Sequence, residues 1–205
     1  AHGRFHFRRI IKERKLNDHW RRITWAHVCQ GWREGTFFFV VSVFIFLSTG
    51  SELSLGSYGL INSGVGFVAY FIASRFIKKK DRNRFILIGG CGLFASVFLL
   101  IFNVSFMNLM IYGASIAIFY PLLLIPYVSL TYDVIGRGWK AAEMRVEYIV
   151  VRELYLNAGR ILSVLVFLSA ISLFDIKSVM PYIIVLLGSG HLLIYFLVKD
   201  IQLDL

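Results

Sequence analysis

Apolar residues gather into five long stretches and one shorter companion, at 37–50, 58–77, 85–102, 107–130, 154–174 and 180–198, built mostly from Leu, Ile, Val, Phe, Ala and Gly. A helix rising about 1.5 Å per residue needs roughly 20 residues to cross a ~30 Å hydrocarbon core. Five of the stretches approach or exceed that length. The first falls short unless its helix begins upstream, near Ala26, which brings Arg33 and Glu34 into or against the lipid. The pattern predicts an all-α fold: a polytopic membrane bundle of six transmembrane helices.

The connections alternate in charge. Arg4, Arg8, Arg9, Lys12, Arg14, Lys15, Arg21 and Arg22 precede the first span; Arg75, Lys78, Lys79, Lys80, Arg82 and Arg84 lie between the second and third; Arg137, Lys140 and Arg145 lie between the fourth and fifth. The intervening connections hold Glu52 alone, no charge at 103–106, and Asp175 with Lys177. Cytoplasmic loops retain Lys and Arg, so both termini are expected on that side of the cell (inner) membrane.

Of 205 residues, 58% are hydrophobic, above ordinary globular usage, and no length remains for a separate soluble domain. The formal net charge of +10 is then a topology signal and an attraction to anionic lipid headgroups. Nucleic acid is not an expected partner, because the bases are divided among the membrane flanks. Cys29 and Cys91 fall near cytoplasmic helix ends, outside any CxxC or Cys/His cluster, so no disulfide, metal or cofactor is expected. The opening residues lack a charged-then-apolar leader, and the absent initiator Met points to processing or to excision from something longer.

Residues 1–18 read as a basic cytoplasmic linker, or as an interfacial segment placing Phe5, Phe7, Ile10, Ile11 and Leu16 against lipid; 19–205 form the membrane domain. Asn17 or Asp18 can cap a helix that carries Trp20, Trp25 and Trp32 at the membrane boundary and runs on into the first span. In the second span Gly59, Ser63, Gly64, Gly66, Ala69 and Ala73 suit close approach of a neighbouring helix. That reading is preferred to a substrate-facing groove, in which Tyr58 and Asn62 would line a cavity. Pro121 and Pro126 each remove a backbone donor from the fourth span, which predicts kinks in a helix that either lines a cavity or bends for structural reasons alone.

The loop at 74–90, SRFIKKKDRNRFILIGG, resembles the signature loop of the major facilitator superfamily, in which a Gly, an Asp and several Arg/Lys precede the third helix. Ser74 stands at the Gly position and Lys78 near the Asp, while Arg82 and Arg84 keep the basic end. Six spans with both termini inside, after a long basic segment, resemble the carboxy-terminal half of such a transporter. The resemblance implies two inverted three-helix repeats, a missing amino-terminal half or a second copy to complete the cavity, and transport of an unidentified small solute by alternating access. It also implies that Arg82 and Arg84 contact the ends of neighbouring helices and hold one conformation.

A charged side chain in mid-membrane costs roughly 2.5–3.5 kcal/mol on insertion scales, so it calls for a partner or a function. Glu147, Arg152, Glu153, Asn157 and Arg160 precede or enter the fifth apolar run, and spacing puts Glu153, Asn157 and Arg160 on one face. Arg160 pairs with Glu153 or with a neighbouring helix, binds an anionic group of a substrate, or reaches to headgroups. Arg33 and Glu34 form a similar pair, and cross-helix pairing with Arg152 and Glu153 would satisfy all four as a gate. His191 reads as a hydrogen-bonded packing residue rather than a proton relay.

Enzymatic alternatives lack their constellations. There is no HExxH, and Tyr132 with Asp133 resembles half of an intramembrane aspartyl pair whose second member is missing. Gly113, Ala114 and Ser115 lack a positioned His. No enzyme is expected. The alternative to transport is a self-standing six-helix scaffold or assembly partner.

Overall fold

The computed structural model describes residues 6–102, 105–201 and 203. Arg4, Phe5 and the start of the uncharged 103–106 connection lie outside the described residues, as does the side chain of Lys177. Among the described residues every regular element is helical: α1 (Phe7–Glu13), α2 (Asp18–Glu34), α3 (Phe37–Thr49), α4 (Glu52–Phe76), α5 (Arg82–Phe102, entered through a 3₁₀ turn at Lys79–Asp81), α6 (Phe106–Gly136), α7 (Arg145–Leu173), α8 (Ile176–Gly188) and α9 (Gly190–Val198). Five helical stretches are long and apolar enough to cross a membrane: α4, α5, α6, α7, and α8 continued by α9. The chain is thus all-helical, with a build compatible with an integral membrane protein.

The helices outrun the apolar stretches because polar caps set their ends. Asn17 accepts from the Trp20 N–H at 3.1 Å, and Ser51, Ser105 and Asp175 accept from backbone N–H groups three residues on, at 3.3, 3.2 and 3.1 Å. Each answers a donor that the first helical turn leaves free. The expected first span differs most. α3 has only 13 residues and is parted from α2 at Gly35 and Thr36, where Thr36 leaves helical geometry with φ −128° and ψ −12°. Across Pro121 and Pro126, α6 stays one assigned helix.

In the amino-terminal segment Ile11 and Leu16 are exposed, whereas Ile10 is turned inward. Ile10 is fully buried and its carbonyl accepts from Trp20 Nε1 at 3.2 Å. Arg14 donates to Thr24 Oγ1 at 2.8 Å and lies over the Tyr155 ring at 4.3 Å. These contacts dock α1 on α2 and α7, so residues 7–18 share a core with the longer helices of the bundle.

α5 packs on α6, α4 on α6, α2 on both α7 and α9, and α5 on α9. The α2–α7 crossing is closest, because a Cβ on Gly31 would collide with the Leu156 carbonyl oxygen and one on Gly159 with that of Val28. Backbones meet there, as small residues permit where lipid gives no hydrophobic drive for association. The small residues of α4 behave otherwise. A Cβ on Gly59 or Gly64 would meet nothing within 4 Å, and Leu53, Leu60, Phe67, Phe71 and Phe76 are exposed. Close packing is thus missing at Gly59 and Gly64 among the described residues, whereas Ala73 is buried and a Cβ on Gly66 would meet Ala117 at 3.9 Å, because α4 touches the bundle chiefly along α6.

Buried apolar side chains form two clusters. One holds Ile10, Trp20, Ile23, Leu123, Tyr148 and Ile194 toward the end with the basic loops; the other holds Phe37, Val41, Leu109, Phe167, Met180 and Leu187 toward the opposite end. Between them along α2 and α9 lie Gln30, Arg33, Glu34 and His191, a polar layer that tertiary contacts must satisfy.

Candidate functional site

Glu34 is the hub of that layer. Its Oε1 accepts from Gln30 Nε2 and from the Tyr120 hydroxyl, each at 2.9 Å, and its Oε2 accepts from Arg160 Nη2 at 3.2 Å. His191 Nε2 stands 3.9 Å from Oε1. α2, α6, α7 and α9 are thereby tied at one level. Neighbouring residues on a helix point about 100° apart, so Arg33 takes a different course. It is 5% exposed, stacks over the Phe37 ring at 4.3 Å, and places Nη1 3.2 Å from His191 Nδ1. Its Nε and Nη2 are buried without a hydrogen-bond partner among the described residues. With Nδ1 as acceptor, the fully buried His191 ring is neutral and carries its proton on Nε2, toward Glu34.

The expected four-residue gate does not form. Arg152 pairs with the adjacent Glu153 and reaches the Tyr132 hydroxyl at 3.4 Å, while Arg33 and Glu34 face His191 and Arg160 instead. The reason is axial level. Gly35 lies against the Arg160 backbone, with a hypothetical Cβ 2.7 Å from its Cα, and Glu153 is seven residues, about 10 Å of helix, from Arg160. Glu153, Asn157 and Arg160 do share a face: Asn157 Nδ2 donates to the Glu153 carbonyl at 2.8 Å and Arg160 Nη1 to Asn157 Oδ1 at 3.3 Å.

Beside the cluster, between α2–α3, α4 and α6, lies a cavity of about 430 Å³ lined by Arg33 and Glu34 with Tyr58, Asn62, Ser63, Tyr70, Tyr112 and Tyr120. Tyr58 and Asn62 both line this cavity. Tyr58 and Tyr112 stack with centroids 5.9 Å apart. Tyr112 and Tyr120 lie uncharged within an apolar run and Gln30 lies uncharged upstream of the first one, so none of the three carries a mark of cost in the sequence.

At the basic end, Arg82 is nearly buried and donates from Nη1 to Asp133 Oδ2 at 2.7 Å and from Nη2 to Ser129 Oγ at 2.6 Å, both on α6. Lys79 adds an ion pair to Asp133 at 3.3 Å. Arg84 is exposed, with no ion pair or hydrogen bond to a described residue. The two loop arginines therefore differ: Arg82 clamps a neighbouring helix end and Arg84 does not.

Comparison with known proteins places one relative beside this chain: uncharacterized protein YqgE of Bacillus subtilis (strain 168), 55% identical over 200 residues. The match covers 98% of this chain and 46% of the relative, so the chain spans less than half the length of the curated protein it resembles. No family model and no solved structure matches the chain.

Proposed function

We propose that the chain is the carboxy-terminal half of a secondary active transporter of the major facilitator type, moving a small solute by alternating access. Here α2 with α3 supplies the first of six crossings and α8 with α9 the last. The observation that carries the reading is the cavity beside a charged cluster between two apolar cores, a place where lipid alone would never favour Arg33 or Glu34.

The packing supports inverted repeats. Exchange the first crossing with the fourth, the second with the fifth and the third with the sixth. The pairing α4–α6 then becomes α7–α2, α5–α6 becomes α9–α2, and α5–α9 maps onto itself; these are the principal contacts of the bundle. The match to under half of its relative leaves room there for a second body of similar size, which would cover the cavity and the open row on α4. The Arg82 clamp gives the basic loop the contact expected of a conformational element. Both termini face the cytoplasm in this reading, with anionic lipid at the basic flanks.

Single cysteines at Asn62 and Ala117, placed in the full-length protein after removal of Cys29 and Cys91, test it. A transporter exposes these cavity positions to membrane-impermeant thiol reagents from each side in turn, and solute shifts the balance. A static scaffold gives one fixed pattern from one side. Transport of solute by the 205 residues alone in liposomes would overturn the half-transporter form of the proposal.

A further inference from the structure

We propose that the cavity takes a small organic monoanion with an apolar or aromatic body, its carboxylate held by Arg33. The inference deepens the transport reading and rests on the cavity being the solute site.

The first argument is charge. Glu34 offers its oxygens to Gln30, Tyr120 and Arg160, not to Arg33. Arg160 and Glu34 cancel, the His191 ring is neutral, and Arg33 remains as a positive charge with no carboxylate against it among the described residues. A guanidinium cannot shed its proton to escape burial. One negative charge on a ligand balances the layer.

Geometry names the anion. Nη1 of Arg33 is engaged with His191, whereas Nε and Nη2 are unpartnered among the described residues. Those two groups share one edge of the guanidinium plane with parallel N–H donors, and both are buried rather than open to the cavity that Arg33 helps to line, so a carboxylate meets them only once the Arg33 side chain turns outward. That fork matches the two oxygens of a carboxylate. The walls name the rest of the molecule. Apart from Arg33, Glu34, Asn62 and Ser63 they are rings and apolar groups, with Tyr58, Tyr112 and Phe67 among them, around about 430 Å³, and the Glu34 carboxylate is already engaged by Gln30, Tyr120 and Arg160. This is the size of a small-molecule site, with Arg33 as its one cation, a Glu34 carboxylate already paired with Arg160, and mostly apolar and aromatic contact elsewhere. The hydroxyls of Tyr58 and Tyr112 and the amide of Asn62 are available for a polar substituent on the ligand body.

Benzoate is a suitable probe, benzamide its neutral isostere, and inorganic phosphate the comparison for anions in general. With full-length protein in detergent, benzoate should raise the unfolding temperature saturably, and benzamide and phosphate at equal concentration should not. Arg33→Gln should weaken benzoate roughly tenfold or more, and Arg33→Lys should recover part of the loss. Equal stabilisation by benzamide or phosphate, or unchanged benzoate affinity in Arg33→Gln, overturns the proposal. If Arg33→Gln does not fold, Ser63→Trp decides. It fills the cavity from the exposed side of α4 and leaves the Arg33 side chain unaltered, and retained benzoate affinity in that variant is equally fatal. Octanoate separates two sources of carboxylate: preference for it over benzoate assigns the site to a fatty acid drawn from the bilayer, and the reverse to a water-soluble acid. Alternating thiol accessibility without benzoate binding removes this inference and leaves transport standing; benzoate binding with a static pattern does the opposite.

Discussion

Arg160 Nη2 lies 3.2 Å from Glu34 Oε2 and joins the middle of α7 to the end of α2. Glu34 is mostly buried and Arg160 two-fifths exposed, so the pair is shielded on the carboxylate side and open on the other. Removing either partner leaves a partly buried charge with reduced compensation, while removing both takes the pair's two charges away together. Glu34→Gln and Arg160→Gln should each destabilise the protein by about 1–3 kcal/mol, and the double variant should cost less than the sum. A double-mutant cycle by reversible unfolding in detergent measures the coupling; strict additivity would show that the contact contributes nothing.

Turnover separates structure from function at the same site. Arg160→Gln should insert and fold yet lose transport in the full-length protein, whereas a scaffold would keep partner binding intact. Loss of insertion in that variant would make Arg160 chiefly structural.

The loop arginines should part in their effects. Lysine keeps the topological charge of Arg82 but cannot reach Asp133 and Ser129 together from one planar fork. Arg82→Lys should shift the inside–outside balance of thiol accessibility with orientation preserved, and Asp133→Asn should act alike. Arg84→Lys should change neither balance nor topology, because Arg84 is exposed and unpaired to described residues. Equal effects of both substitutions would reduce the loop to a topological signal.

Glycines predict a contrast in stability. Gly31→Ala drives a methyl into the Leu156 carbonyl and must separate α2 from α7, at a cost of about 1–3 kcal/mol. Gly64→Ala meets open space and replaces a poor helix former, so it should be neutral or stabilise the isolated chain by up to ~1 kcal/mol. Thermal unfolding of the two variants side by side checks the order.

The docked amino-terminal segment carries a prediction of its own. Ile10→Asp puts a carboxylate where the native side chain is fully buried and should release α1 from α2 and α7. Trypsin should then cleave at Lys12, Arg14 and Lys15 much faster than in the parent protein. Unchanged protection would mean that α1 is held by contacts other than Ile10.

The sequence by itself determined five of the long apolar helices, because runs of apolar residues are long or short irrespective of their neighbours, whereas the break between α2 and α3 at Gly35 and Thr36 was not marked by any such run. It also marked Arg160 as costly inside an apolar run, and Arg33, Glu34, Arg152 and Glu153 as charges at the edges of two such runs. Partnership was another matter. Glu34 meets Arg160 across 126 residues of chain and Arg33 meets His191 across 158, and no spacing rule extends so far. Only the α2–α7 crossing, fixed by Gly31 and Gly159 meeting opposite backbones, sets Glu34 level with Arg160 and leaves Glu153 two turns away beside Arg152. The small residues of α4 show the same limit. Their spacing permits close packing, but whether a helix lies there is decided by where α6 and the rest of the bundle run, and on the row of Gly59 and Gly64 none does among the described residues.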